Sequence, residues 1–253
     1  MSFIRPGAGG GGGVVIQNSC TLLASGSEHF TQTPGGAGDS DLKGCLSFWY
    51  KPRVINDTFT ILGADPESSN DETIFTFHTD EQGRFEIDTG STARWHTPDN
   101  MLVVSTWAHH HVFFDSAQAT LEDRLSYWRN GVDQGFSEQS EGSPNLNEQM
   151  HWGQAVRHAL GKSSRFGSDY ADGQLAHVHY FDGVLPPVTD VVTFTGAAFV
   201  AHNYAGSYGS NGWRLAFDNS ADMGEDSSGN GNDWTEVNVD SGNQSADLPV
   251  SPL

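Results

Sequence analysis

The sequence contains very few cations, and this shortage argues against a polyanionic partner. Lysine occurs only at positions 43, 51 and 162, and 12 basic residues stand against 32 acidic ones, for a formal charge of −20. A chain with this charge repels a phosphate backbone instead of neutralising it. We therefore expect no nucleic acid among its partners.

Cysteines and long apolar runs are also scarce. Cys20 and Cys45 are the two cysteines in 253 residues, too few for a disulfide framework, and we expect free thiols. No apolar run reaches the length of a membrane span. The amino end, MSFIRPGAGGGGG, lacks the apolar segment of a secretory signal peptide. We therefore expect a soluble protein with no Sec-type signal and no membrane partner.

Helical periodicity is hard to find, and short alternating runs separated by Gly, Asn, Asp and Pro take its place from Val14 onwards. Such runs are typical of a β-sandwich or barrel. The Asn130-Gly131 pair predicts a two-residue hairpin turn. Residues 185–194 indicate a short helix, and residues 137–172 a long polar loop or a loosely paired excursion. The predicted strands are 44–52, 58–64, 73–79, 84–90, 101–106, 107–115, 124–131, 174–183 and 212–218.

The two ends of the chain differ in composition from the alternating region. Residues 1–13 are predicted to form a flexible arm, because a run of five glycines cannot hold a fixed backbone without outside contacts. Residues 239–253 read as a polar tail. The predicted organisation is thus an arm, one all-β domain over residues 14–238, and a tail.

Three segments of the predicted domain resemble a known family when taken in order. They are GCLSFWYKPR, STWAHHHVFFDSAQATLEDRLSYWRNGV and DGQLAHVHYFDGVLPP. Together they resemble the laminin-G-like branch of the concanavalin A-like lectin/glucanase superfamily, over about residues 14–238. The resemblance implies a jelly-roll β-sandwich with a lectin-like surface.

A narrower resemblance comes from VVIQNSCTLLASGSEHFTQTPGGAGD, YFDG and AHNYAGSYGSNGWRLAFDNSADMGEDSSGNGNDWTEVN. These segments resemble virion proteins of tailed bacteriophages, many of them from marine phages, although Cys20 stands where that group usually has Leu. The resemblance implies a non-enzymatic structural protein assembled in the host cytoplasm and displayed on the capsid surface or tail. Its implied partners are other virion subunits, which would hold the arm at residues 1–13, further copies of the chain, and cell-surface glycans.

An enzyme is the first alternative, because laminarinase-type members of the superfamily carry E-x-D-x-x-E on a strand. In FEIDTGS, Glu86 and Asp88 match the first half of this motif, but Ser91 replaces the second glutamate. A retaining mechanism needs a nucleophile and a proton donor about 5.5 Å apart. Because only part of that pair is present, we favour a surface acidic pair.

The second alternative, a free calcium-dependent lectin, rests on DSSGNGNDWTEVN. Its oxygen donors are Asp226, Ser228, Asn230, Asn232 and Asp233, with glycines that let the chain fold around a hard cation. The spacing is not that of an EF-hand, and the competing interpretation is a turn whose side chains bind the loop's own amides. In the resembling family such a segment precedes the first core strand, whereas here it follows the last one and is expected to close the sheet.

Aromatic residues outside the predicted strands are candidates for stacking on sugar rings. Trp95 and His96 lie in TARWHTPDN, and Trp152 lies in QMHWGQ. The alternative is that these rings fix loops onto the sandwich. Two histidine pairs, His109 with His111 and His177 with His179, have a spacing that can chelate a metal, but packing is the favoured interpretation.

Overall fold

The structure, a computed structural model, describes residues 13–55, 57–66, 75–80, 82–89, 94–139, 145–164, 168–196 and 198–249. The strands in these ranges are β1 Gly13–Val14, β2 Ser19–Leu22, β3 His29–Gln32, β4 Lys43–Pro52, β5 Phe59–Asp65, β6 Phe75–Thr79, β7 Phe85–Thr89, β8 Arg94–His96, β9 Ala108–Asp115, β10 Leu125–Arg129, β11 Val132–Asp133, β12 Ser137–Gln139, β13 Arg157–Leu160, β14 Gly173–Asp182, β15 Val192–Thr195, β16 Ala198–His202, β17 Trp213–Leu215, β18 Thr235–Val237 and β19 Gln244–Ser245. Four 3-10 turns span Ala24–Gly26, Leu121–Asp123, Val188–Asp190 and Ser241–Asn243.

The strands form two large antiparallel sheets and one small one. The first large sheet has the order β11-β10-β9-β4-β14-β2-β19, with β17 also paired to β14. The second has the order β12-β8-β7-β6-β5-β13-β3-β18. The small sheet is β1-β16-β15. Within the described ranges, none of the helices has the length and apolar character needed to traverse a bilayer.

The main hydrophobic core lies between the two large sheets. Alternate residues of β4, such as Leu46, Phe48 and Tyr50, are fully buried there with Ile61 of β5 and Leu160 of β13. This period-2 burial is what the alternating sequence runs predict for a sandwich. The predicted all-β sandwich is therefore confirmed.

A second hydrophobic cluster covers the outer face of the first large sheet. Cys45 and Trp49 of β4 and Phe181 of β14 pack there against the small sheet, whose Phe194 and Phe199 contact the Trp49 ring. β4 is consequently buried on both faces. This double burial explains why β4 is apolar or aromatic at every position from Gly44 to Tyr50 except Ser47.

Several local predictions are corrected. Residues 101–106 form no strand, and residues 185–194 form only a 3-10 turn followed by β15. The predicted loop at 137–172 contains β12 and β13, and β13 pairs with both β5 and β3. Residues 239–249 also do more than form a tail, because β19 extends the first large sheet beside β2. Residues 1–12 of the predicted arm lie outside the described residues, and Gly13 begins β1.

Candidate functional site

A cavity of about 460 Å³ opens where the edges of the two large sheets approach each other. Its lining comes from four short pieces of chain: β8, β10, the 3-10 turn before β10, and the segment that leads from β11 to β12. The lining residues are Trp95, Leu121, Glu122, Leu125, Ser126, Asp133, Gly135 and Phe136. We call this space the edge cavity.

A tight hairpin shapes one wall of the edge cavity. Asn130 and Gly131 have φ values of 49° and 76°, so the chain reverses within two residues, as the sequence predicts. This reversal places Asp133 opposite Trp128. The Asp133 Oδ1 atom accepts a hydrogen bond of 2.9 Å from the Gly135 amide. The next residue, Phe136, lines the cavity.

The lining combines apolar surface with acceptors. The half-buried Phe136 ring packs edge-on against Tyr127, at a centroid separation of 5.8 Å. Glu122 and Asp133 are exposed carboxylates, and Ser126 adds a half-buried hydroxyl. None of the residues that line this cavity carries a positive charge. Such a lining suits an uncharged, hydroxyl-rich ligand with one apolar face.

The predicted sugar-stacking residues occupy different positions from those expected. Trp95 lies in β8 and is 2% exposed, so it forms a wall of the edge cavity but offers no open ring face. Trp152 is 1% exposed and packs edge-on against Tyr180 in the main core. At this exposure neither ring offers an open face on which a sugar could stack in this conformation.

His96 lies on the other face of β8 from Trp95, because side chains alternate along a strand. It is half-buried, and its Nδ1 atom is 2.8 Å from the Thr97 carbonyl oxygen. The structure thus separates His96 from the edge cavity and brings Trp95 to it. Sequence reasoning missed Phe136. The feature that could have indicated it is an apolar residue directly after a hairpin, in an otherwise polar stretch.

The segment containing Asp226 folds around its own backbone. Asp226 is 8% exposed and accepts four hydrogen bonds of 2.8 to 2.9 Å, from the amides of Arg214, Ser228 and Asn232 and from the Ser228 hydroxyl. Asp233 Oδ1 accepts from the Asp226 amide at 2.8 Å. This is the arrangement that the turn interpretation requires.

The two asparagines of this segment use their side chains as donors. Asn230 Nδ2 donates to the carbonyl oxygens of Gly209 and Gly212, and Asn232 Nδ2 donates to those of Ser210 and Gly212. These contacts tie the segment to the chain before β17. Beyond it, β18 pairs with β3, so the segment closes the second large sheet as expected.

An acidic cavity of about 480 Å³ lies beside this segment. It is lined by Phe217, Asp218, Asn219, Asp222, Glu225 and Ser227. Partial burial and the nearby carboxylates of Glu236, Asp233 and Glu225 raise the pKa of Asp222. Within the parts of the chain that the structure describes, no three His, Cys, Asp or Glu side chains converge as metal ligands.

Glu86, the first acidic residue of the partial glycosidase motif, is not open to solvent, and the Asp88 side chain lies outside what the structure describes. Glu86 is 8% exposed, and its Oε1 atom lies 3.8 Å from Nη2 of Arg84. Arg84 also pairs with Asp80, and this pairing keeps the pKa of Asp80 below its usual value despite partial burial. Ser91 lies outside the described residues.

The histidines with chelating spacing are packed, as favoured from the sequence. His109, His111, His177 and His179 are each 7% exposed or less, beneath the small sheet. Cys20 and Cys45 are both buried and free, as expected. Burial raises the pKa of both thiols, which keeps them in the unreactive protonated form.

Comparison with protein families agrees with this architecture. A laminin-G family model, described as concanavalin A-like lectin/glucanases superfamily, matches residues 25–189, well over half of the chain. A search among curated proteins finds no match.

Solved structures provide the second comparison. A protein from Bacteroides ovatus, for which carbohydrate binding has been proposed, aligns at 12% identity and a TM-score of 0.61, over 94% of this chain and 62% of that one. The SAP-like pentraxin of Limulus polyphemus aligns at 13% identity and a TM-score of 0.48, over 70% of this chain and 81% of that one. The CBM40 of Ruminococcus gnavus IT-sialidase aligns at 14% identity and a TM-score of 0.44, over 70% of this chain and 96% of that one. At these identities the similarity to the Bacteroides protein establishes a shared fold.

Proposed function

Because the chain belongs to the concanavalin A-like lectin/glucanases superfamily, we propose that it is a non-catalytic carbohydrate-binding protein whose sugar site is the edge cavity. The observation that carries this proposal is the composition of the cavity lining. An aromatic edge and aliphatic side chains lie beside exposed carboxylates and a hydroxyl group. Lectin sites use this combination, since sugars present both C–H faces and hydroxyl donors.

The size and charge of the edge cavity narrow the ligand. A volume of about 460 Å³ accommodates one or two sugar rings. Glu122 and Asp133 accept hydrogen bonds from hydroxyl groups but repel a carboxylate. The net charge of −20 adds to this repulsion at low ionic strength. We therefore propose neutral or amino-bearing sugars and disfavour sialic and uronic acids.

The residues around Glu86 support a non-catalytic role. A glycosidase needs two carboxyl groups that face the scissile bond across an open cleft. Glu86 is buried next to Arg84 instead. The laminarinase-like alternative therefore has weaker support than a binding function.

Sugar binding is tested by titrating neutral, amino-bearing and acidic oligosaccharides into the purified chain by calorimetry. Phe136→Ala should weaken binding about fivefold to tenfold, because an aromatic contact contributes roughly 1 kcal/mol beyond its buried area. Tyr170→Ala is the matched control, because Tyr170 is also a half-buried aromatic but packs on His29. Equal affinity for wild type and Phe136→Ala, with Tyr170→Ala folded, would show that the edge cavity is not the site.

Charge selection is tested separately. Asp133→Asn keeps an oxygen for the Gly135 amide but removes the negative charge. It should reduce the preference for neutral over acidic sugars, whereas Asp123→Asn, in the neighbouring 3-10 turn and exposed, should not. A variant that still rejects acidic sugars as strongly as wild type would locate selectivity outside the edge cavity.

The narrower resemblance supports a setting for this activity. We propose that the chain is a virion component of a tailed phage, held by neighbouring subunits through residues 1–13 and displayed as several copies. Deleting residues 1–12 should abolish incorporation into particles, while the purified domain retains its circular dichroism spectrum. Particles that carry normal amounts of the truncated chain would refute this role for the arm and would leave the sugar-binding proposal standing.

A further inference from the structure

Four buried histidines form a cluster on the outer face of the first large sheet. His109 and His111 lie on β9, and His177 and His179 lie on β14. Ser47 of β4 is the Cα partner of both His111 and His179, so the cluster crosses three adjacent strands. The small sheet covers it, together with the segment at residues 203–208. We call these four residues the histidine cluster.

A bulge in β14 contributes to the cluster. One extra residue is inserted between Ala176 and His179, and His177 takes a φ of 47°, which is uncommon for a residue other than Gly. His177 Nδ1 comes within 3.2 Å of His179 Nε2. The backbone thus adopts an unfavourable conformation where it brings a second imidazole against the first.

The hydrogen bonds of the cluster suit neutral rings. His109 Nε2 lies 2.9 Å from Ser47 Oγ, and His179 Nδ1 lies 2.9 Å from the Tyr208 hydroxyl. His111 Nε2 lies 3.2 Å from the Pro186 carbonyl oxygen, which can only accept, so this nitrogen carries the proton of the neutral ring. When each ring carries one proton, that N–H can lie on a nitrogen that has a hydrogen-bond partner.

A second proton on His109 or His111 has no acceptor. The Nδ1 atoms of both His109 and His111 are buried, and no hydrogen-bond partner lies within reach among the described residues. A charged imidazolium there would leave a buried N–H donor unpaired, which is costly in a low-dielectric interior.

The groups that face the cluster do not outweigh the effect of burial, although the Pro186 carbonyl favours the charged form of His111 and Asn203 that of His177. They are Cys45 and Ser47 from β4, His110 from β9, the Pro186 carbonyl, His202 from β16, Asn203, Tyr208, and Arg214 from β17, with Asp190 facing His202. Arg214 is a cation, and it lowers the pKa of His177 and His179. No carboxylate is among the groups that shift the pKa of the four clustered rings.

Burial gives this arrangement a defined pH dependence. It lowers the pKa of His111 to about 3 and that of His177 to about 4, and the pKa values of His109 and His179 also lie well below 6.5. A folded-state pKa below the unfolded value means that the unfolded or opened state binds more protons. Stability is therefore complete above pH 6.5 and falls progressively as the pH drops below it.

The small sheet that covers the cluster is held together by few strand pairings. The small sheet has only three strands, and β1 contributes two residues to it. The main core lies on the other face of the first large sheet. We propose that the histidine cluster is an acid-sensitive latch, which releases the small sheet from the first large sheet in mildly acidic solution while the main sandwich stays folded.

The latch is tested by hydrogen–deuterium exchange of the full chain between pH 7.5 and 4.5, with rates corrected for the intrinsic effect of pH. Protection should fall at least tenfold in residues 192–202 as the pH drops from 7 to 5. Protection in β5 and β13, which lie in the second large sheet, should change less than twofold. Loss of protection in both regions at the same pH would indicate global unfolding and overturn the proposal, as would full protection of residues 192–202 at pH 4.5.

A variant with fewer ionisable rings in the cluster distinguishes opening of the small sheet from acid destabilisation of the whole fold. The double substitution His109→Gln with His111→Gln keeps a polar group for Ser47 and the Pro186 carbonyl, and it should lower the opening pH by about one unit. His158→Gln is the control, because His158 is equally buried but packs beside Trp234 near the main core. If the double variant does not fold at pH 7.5, His111→Gln alone provides the same comparison with a smaller shift. An opening pH unchanged by the cluster substitutions, or moved equally by His158→Gln, would refute the assignment.

Discussion

Replacing Asp226 by Asn provides the sharpest test of how the carboxyl-terminal segment is stabilised. The Asp226 carboxylate is nearly inaccessible to solvent and accepts three backbone amides and one hydroxyl. In the Asn variant one oxygen remains for the amides of Arg214 and Ser228. The new NH₂ group faces the Asn232 amide, so two donors oppose each other.

The expected loss of unfolding free energy can be derived from the hydrogen bonds that each substitution removes. Losing a charge-assisted hydrogen bond and leaving one buried donor unpaired together reduce the free energy of unfolding by about 2 kcal/mol. Asp226→Ala removes every acceptor and should cost about 3 to 5 kcal/mol. With an m-value of about 3 kcal/mol/M for a chain of this size, 2 kcal/mol lowers the urea midpoint by about 0.7 M.

Urea denaturation followed by circular dichroism measures both variants. Asp222→Asn is the matched control, because Asp222 faces other carboxylates and its neutralisation should leave stability unchanged or slightly raised. The wild type should show the same midpoint in EDTA and in millimolar calcium, because amides of the loop and of β17 occupy the Asp226 oxygens. A midpoint for Asp226→Asn within 0.1 M of wild type would refute the reasoning. So would a clear calcium-dependent rise in the wild-type midpoint, since it would show that an ion supplies the stabilisation.

Two further predictions concern the second large sheet and the chain before β17. Arg84→Gln should raise the pKa of Asp80 toward its ordinary value, as measured by NMR titration. The stability that this pair contributes, present above about pH 4 and lost below it, should disappear; an unchanged titration would contradict the pairing. Gly212→Ala should destabilise the fold by about 1 to 3 kcal/mol, because an added Cβ would lie 1.9 Å from the Tyr208 carbonyl oxygen. Gly35→Ala, with no atom within 4 Å of its added Cβ, should leave the urea midpoint unchanged, and equal effects of the two substitutions would contradict the predicted clash.

The strands that alternation predicts best lie in the two large sheets. β4, β5, β6, β7, β9, β10 and β14 all begin and end within two residues of their predicted bounds. Residues 101–106 show how the approach fails. MLVVST has strand-like composition, yet Val103 and Val104 are exposed and no neighbouring strand pairs with them, because Met101 and Leu102 alone pack into the core. Composition cannot tell a strand from a loop that inserts two apolar side chains.

β13 shows the opposite failure. RHAL lies in a long stretch rich in glycine and polar residues, and its four residues give too short a pattern to detect. The strand exists because β5 and β3 leave a gap that it fills with hydrogen bonds on both sides. Sheet pairing of this kind depends on partners more than 90 residues away, which local sequence does not specify.

Fold class, the hairpin at Asn130 and the family can all be predicted from the sequence, because alternation, turn chemistry and motif order are local properties of the chain. The positions of the aromatic residues, in contrast, depend on the tertiary structure. It placed Trp95 and Trp152 in the interior, Phe136 at the edge cavity and four histidines under the small sheet. Burial depends on which distant strands pack together, and a sequence of residue types records composition but not the partner that covers each side chain.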